Sequence, residues 1–164
     1  MRKTVLVLLS LIIIAGMLAA CGGASGTVEN PILKVTGKIQ EKNSGDAYAL
    51  DEAAFEKNSV EQTMDDPWMG DGLKYKGILL SKLIELVKPA SDATALSLVA
   101  TDGKAIDIPI EDANQWGIML AHWSDGTVLD EKTGGPVKVA FPAEARQKYA
   151  DEQWMWWIVE VKVK

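Results

Sequence analysis

Apolar and polar residues alternate at a period of two along much of this chain, and only short stretches shift to the helical period. Ile32–Ile39 alternates and is rich in β-formers, which predicts a strand. Asn43-Ser44-Gly45-Asp46 is a turn cluster, and Tyr48–Leu50 a short extended piece. Asp51 is placed to cap a short helix over 52–57, whose early acidic residue suits the positive end of the helix dipole. Val60–Met64 reads as extended, and Asp65–Gly72 as a loop. Within Tyr75–Val87, Leu79, Leu80, Leu83, Ile84 and Val87 share one helical face, and Pro89 stops the helix. Leu96–Thr101 and Lys104–Pro109 flank Asp102-Gly103, a strong hairpin signal. Gly117–Trp123 is a further strand.

Thr133-Gly134-Gly135-Pro136 is a fixed turn that feeds an apolar run ending at Pro142. Val137, Val139 and Phe141 point one way at period two, as in a core strand. Pro136 can open that strand, where its missing N–H is tolerated. Gly135 is expected at a positive φ, a conformation open to glycine. Glu144–Ala150 reads as an exposed helix. Trp154–Val163 is the last strand, with Trp157, Val159, Val161 and Val163 on one face and Trp156, Ile158, Glu160 and Lys162 on the other.

The start of the chain breaks this pattern. Arg2 and Lys3 precede an almost unbroken apolar run, Val5–Leu18, too short for a comfortable membrane span. Leu18-Ala19-Ala20-Cys21 then resembles the bacterial lipobox, in which the cysteine sulfur takes a diacylglycerol and the chain is cut just before it. That resemblance implies a signal peptide over 1–20, lipidation of Cys21, and a Gly/Ser/Ala-rich tether over 21–30. The folded domain spans 31–164. Membrane lipid is then a partner through acylated Cys21, on the extracytoplasmic side of a bacterial cell envelope.

A length of 164 residues allows one domain. The full chain carries 17 basic and 23 acidic residues, a net −6. Losing Arg2 and Lys3 with the signal leaves 15 basic residues and a net −8. Such acidity argues against nucleic acid as a partner, because phosphate binding needs clustered Lys and Arg. Cys21 is the only cysteine, so no intramolecular disulfide can form.

Candidate chemistry is sparse. His122 is the sole histidine, lacks cysteine or clustered carboxylate neighbours, and reads as a strand-end surface residue rather than a metal ligand. Asp65, Asp66 and Asp71 read as a solvated acidic loop without calcium-loop spacing. No phosphate loop, nucleotide fingerprint, nucleophile elbow or zinc spacing is present. The excess lies in six tryptophans: Trp68, Trp116, Trp123, Trp154, Trp156 and Trp157. They are hard to bury together in a small domain, and aromatics are enriched where partners dock. The expected ligand or partner surface is Trp68, Met69, Tyr75, His122 and Trp123. The partner is an unidentified protein or small molecule. No catalytic residue and no metal site is assigned.

The segment Gly134–Pro142 is similar to the Gly-Gly-Pro-Val/Leu-Arg-Leu-Val-Val-Pro segment of the oxidoreductase molybdopterin-binding domain, the family that includes sulfite oxidase. Tyr75-x-Gly77, the Asp102-Gly103 hairpin leading to Ile108-Pro109, and the Trp-rich final strand resemble that family in the same order. The resemblance covers about residues 31–163. It implies an α+β fold, a mixed β-sheet core with short helices. It also implies molybdopterin as the family's cofactor. The chain departs from the family in four places, one of them Lys104, which stands in the hairpin where Tyr is usual. The family's segment at Val60–Gly72 carries the cysteine thiolate that binds molybdenum, then an asparagine and an arginine; here both cysteine and arginine are missing. Lys138 stands where the family has its strand arginine, and Gln153 where it has a lysine. No cofactor is therefore expected. Two readings stay open: a non-catalytic binding or interaction module, and a molybdopterin-dependent oxidoreductase with an atypical ligand set.

Overall fold

Strand β1, Leu33–Gly37, buries Leu33 and Val35 and exposes Lys34, as period-two alternation over a core requires. The computed structural model of the protein describes residues 27–164. The signal segment, Cys21 and most of the tether lie outside the described residues. β1 pairs antiparallel with β2, Tyr48–Leu50, and parallel with the last strand, β10, Ile158–Val163. β10 then pairs antiparallel with β5, Ala95–Ala100, which forms the expected hairpin with β6, Ala105–Pro109. The first sheet thus has the order β2-β1-β10-β5-β6. Helix α1, Glu52–Lys57, follows β2, and the Asp51 carboxylate accepts the Ala54 amide at 2.8 Å as its cap.

The second sheet is built on β3, Val60–Asp66, β4, Gly70–Leu79, and β7, Met119–Ser124. β4 covers one edge of β7. β9, Lys138–Ala140, and the two-residue β8, Thr127–Val128, share the other. Helices α2, Leu80–Val87, and α3, Ile110–Gln115, complete the domain. Leu33, Val35 and Val161 of the first sheet join Ile78, Leu120 and Val139 of the second in one hydrophobic core. Burying side chains of this size stabilises by roughly 1.5–3 kcal/mol each. The α+β architecture implied by the sequence is the one found. Among the described residues no helix is long and apolar enough to cross a membrane.

Four local expectations change. Asp65–Gly72 is not an open loop: β3 runs through Asp66, turns tightly, and resumes as β4 at Gly70. The helix after Tyr75 starts only at Leu80, because Tyr75–Leu79 is paired into β4 beside β7. Glu144–Ala150 is no exposed helix: a single 3-10 turn, Ala145–Gln147, forms there, and Ala145 and Tyr149 are buried. In β10 a bulge between Ile158 and Glu160 resets the alternation, so Ile158 is buried along with Val161 and Val163.

The glycine pair before β9 works differently from the expectation. The positive φ belongs to Gly134, at +96°, and not to Gly135. Gly135 is needed for space, since a β-carbon there would overlap the Leu129 carbonyl oxygen. The peptide bond between Gly135 and Pro136 is cis. Beyond it, β9 is tied to the approach to β10. The Val139 amide donates to the Met155 carbonyl at 3.0 Å, and the Ile158 amide to the Val137 carbonyl at 2.8 Å. On the far side of that approach, the Thr101 amide donates to the Trp157 carbonyl at 3.0 Å. Residues 155–158 therefore bridge the two sheets.

Candidate functional site

β9 is buried on both faces, so Lys138, between Val137 and Val139, has no path to solvent. Its Nζ donates instead to Asp66 Oδ2, at the end of β3, at 2.5 Å. The Tyr75 hydroxyl, from β4, donates to the same oxygen at 2.6 Å and lies 3.4 Å from Nζ. The other carboxylate oxygen, Oδ1, accepts the Trp68 and Met69 amides at 2.9 and 3.0 Å, closing the β3–β4 turn. Burial pushes the Asp66 carboxyl up, but the hydrogen bonds from Lys138, Tyr75 and the Trp68 amide outweigh it and hold it below its ordinary value. Burial pulls the Lys138 ammonium down, and Asp66 opposes that pull. The Tyr75 hydroxyl is driven well above its usual range, by burial first and then by its bond to Asp66. The three groups form a closed, internally neutralised network.

The Lys138 ammonium also faces aromatic rings. Its Nζ lies 4.8 Å from the Trp156 ring centre, 5.7 Å from Trp154 and 5.4 Å from Tyr75. Above it Trp68, Trp154, Met155, Trp156 and Trp157 wall an open cleft of about 310 Å³. Three stretches converge to make it: the β3–β4 turn, the β5–β6 hairpin and the bridge into β10. Trp68 is 58% exposed, yet its Nε1 donates to the Asp151 carbonyl at 3.2 Å. Trp157 is likewise fixed, with Nε1 on the Glu131 carbonyl at 2.8 Å. Asp102, Asp151, Glu152 and Lys104 stand around the cleft.

A second carboxylate network lies on α3. Asp112 accepts the Tyr149 hydroxyl at 2.5 Å and the Lys148 ammonium at 2.7 Å. Burial pushes this carboxyl up, and those two bonds bring it below its ordinary value.

The expected surface does not hold together. Trp68 and Met69 are exposed and sit on the β3–β4 turn, but Tyr75, His122 and Trp123 are buried. The expectation of a surface His122 is corrected: β7 is covered on one edge by β4 and on the other by β8 and β9, and Phe55 of α1 packs on both His122 and Trp123. His122 Nδ1 lies 2.5 Å from the Pro136 carbonyl oxygen, which can only accept, so Nδ1 carries the proton. Asp66, expected in a solvated loop, is 2% exposed, because its carboxylate is what the Lys138 ammonium requires. The Asp66–Lys138 pair escapes a sequence reading because 72 residues separate its members. Its one signal is a lysine inside an unbroken apolar run.

Soft metal donors are scarce. The only thiol, Cys21, precedes the domain, and the domain's remaining sulfurs are thioethers. Among the described residues no group of three or more His, Cys, Asp or Glu side chains is placed to hold a metal. A polar cavity of about 430 Å³ opens beside β3, lined by Gln62, Thr63, Asp65, Glu144 and Arg146. Gln62, one of its lining residues, has its Oε1 buried without a donor. Arg146 lies 3.4 Å from the Asp65 carbonyl and from the Asp151 carboxylate, with its guanidinium 5.9 Å from the Trp154 ring centre.

The model of the oxidoreductase molybdopterin binding domain matches residues 35–164. No curated protein matches the sequence. Among solved structures, the chain is similar to the sulfane dehydrogenase SoxCD from Paracoccus pantotrophus, with a TM-score of 0.61 and 14% identity. The match covers 84% of this chain and 40% of that one. The chain thus spans well under half the length of that dehydrogenase chain, and at this identity the likeness shows the fold. With its sequence matched from Val35 to Lys164, the chain belongs to the oxidoreductase molybdopterin binding domain family.

Proposed function

We propose that the protein is a membrane-anchored lipoprotein of the bacterial cell envelope, whose molybdopterin-binding-like domain is a non-catalytic binding or interaction module. One observation carries the reading: the domain offers no thiolate. A molybdenum centre held through a protein thiolate needs a soft anionic ligand. Asp66 is a hard oxygen donor, and its two oxygens already accept four hydrogen bonds. A pterin phosphate needs cationic or N–H partners. The polar cavity offers one guanidinium, Arg146, and sets Asp65 and Glu144 beside it. The residues present therefore do not fit the family's cofactor held in its usual way.

The second reading, an oxidoreductase with an atypical ligand set, is favoured by Gln62, a residue lining the same cavity whose Oε1 is buried without a donor. Elemental analysis separates the two. Protein from a host competent in molybdenum cofactor synthesis should carry no stoichiometric molybdenum. About one molybdenum per chain, with a fluorescent pterin product on oxidation, would restore the enzyme. Anchoring through acylated Cys21 is supported by the order of charged, apolar and small residues at the start of the chain.

A further inference from the structure

We propose that the tryptophan-walled cleft binds a compact organic cation of the quaternary-ammonium class. The proposal rests on the binding-module reading and names the ligand's chemistry. The first argument is geometric. Trp156 and Trp157 meet at 79° with ring centres 5.9 Å apart. The two rings pack edge to face and so line the cleft from two directions at right angles, which suits a rounded cation. Trp68 lines the same cleft, held by its bond to the Asp151 carbonyl.

The second argument is charge. Around the cleft stand three carboxylates, Asp102, Asp151 and Glu152, against two cations, Lys104 and the Arg146 guanidinium that lies 5.9 Å from the Trp154 ring centre, which leaves one negative charge. Asp102 pairs with Lys104 at 3.3 Å and Asp151 meets Arg146 at 3.4 Å, whereas Glu152 has no ion pair among the described residues. The Lys138 ammonium lies over one face of Trp156 and of Trp154, and Asp66 cancels its charge, so the pair adds no net charge against an incoming cation. Aromatic faces with a net negative rim attract a desolvated cation through the ring quadrupole. At about 310 Å³ the cleft is at the small end of ligand sites.

The test uses the full chain purified in a polyoxyethylene detergent, which carries neither a choline nor a sugar headgroup. Choline and its uncharged carbon isostere, 3,3-dimethylbutan-1-ol, are titrated against tryptophan fluorescence and by calorimetry, with cellobiose as the sugar arm. Choline should bind saturably, and the isostere at least about ten-fold more weakly. Trp68→Ala, at an exposed position, should weaken choline roughly 2- to 30-fold. Glu152→Gln should weaken it and flatten its salt dependence. Equal binding of choline and isostere, binding of cellobiose in choline's place, or no choline binding would each overturn the proposal. If none binds and molybdenum is absent, the ligand class falls and the binding-module reading stands. Stoichiometric molybdenum would remove both.

Discussion

Lys138 Nζ and Asp66 Oδ2 meet at 2.5 Å with both side chains wholly removed from solvent. The pair crosses from β9 to the end of β3, and through Asp66 it also closes the turn that presents Trp68. A buried ion pair of this kind owes its value to being complete: removing one partner leaves a charge with nothing to answer it.

Lys138→Met should accordingly destabilise the domain by about 3–5 kcal/mol. The double variant Asp66→Asn/Lys138→Met keeps an oxygen for the Trp68 and Met69 amides and leaves no buried charge. Its cost should fall short of the sum of the two single costs by at least about 1 kcal/mol. Urea denaturation of the four proteins measures this, and strict additivity would mean that the two groups do not interact.

Stability should fall in acid. Asp66 and Asp112 both sit below their ordinary value in the folded chain. The unfolded chain, with carboxyls near ~3.9, therefore takes up protons first as pH drops. Their contribution is complete above about pH 5 and is lost as pH falls through the depressed folded-state values. Asp112→Asn should make the loss between about pH 4 and 2 shallower by up to one proton, measured as the slope of unfolding free energy against pH. The half-exposed Lys148 stays solvated in that variant, so the slope isolates the carboxyl. An unchanged slope would remove Asp112 from the account.

Cys21→Ser should abolish lipid attachment and processing by the lipoprotein route. Metabolic labelling with a fatty acid reads this directly, and equal label in both proteins would refute the anchor.

Much of the fold is legible in the sequence because it is local. The β5–β6 hairpin follows from Asp102-Gly103 between alternating runs, and Asp51 caps α1 as its position requires. What sequence periodicity misses is decided by distant pairing. The bulge in β10 puts Ile158 with Val161 and Val163, a choice imposed by the register on β5. Gly135 is fixed by the approach of the Leu129 carbonyl, not by its own dihedral angle. His122 reads as a surface residue until Phe55, Pro136 and Trp123 close around it. For the site, the sequence marks out Trp68 and Met69 as exposed candidates. It does not reveal that Trp154, Trp156 and Trp157, some 85 residues further on, share a cleft with Trp68.

The central place of β10 in the first sheet bears on when the domain can assemble. β1 and β5 do not touch as neighbours; each pairs with β10, and residues 155–158 also join that strand's approach to β9. Until residues 158–163 have emerged from the ribosome, neither half of the first sheet has its middle, and the bridge to the second sheet is missing. Closure at such sequence distance is slow and comes late. The middle of the first sheet, and with it the bridge to the second, is therefore the last part of this fold to become available for pairing.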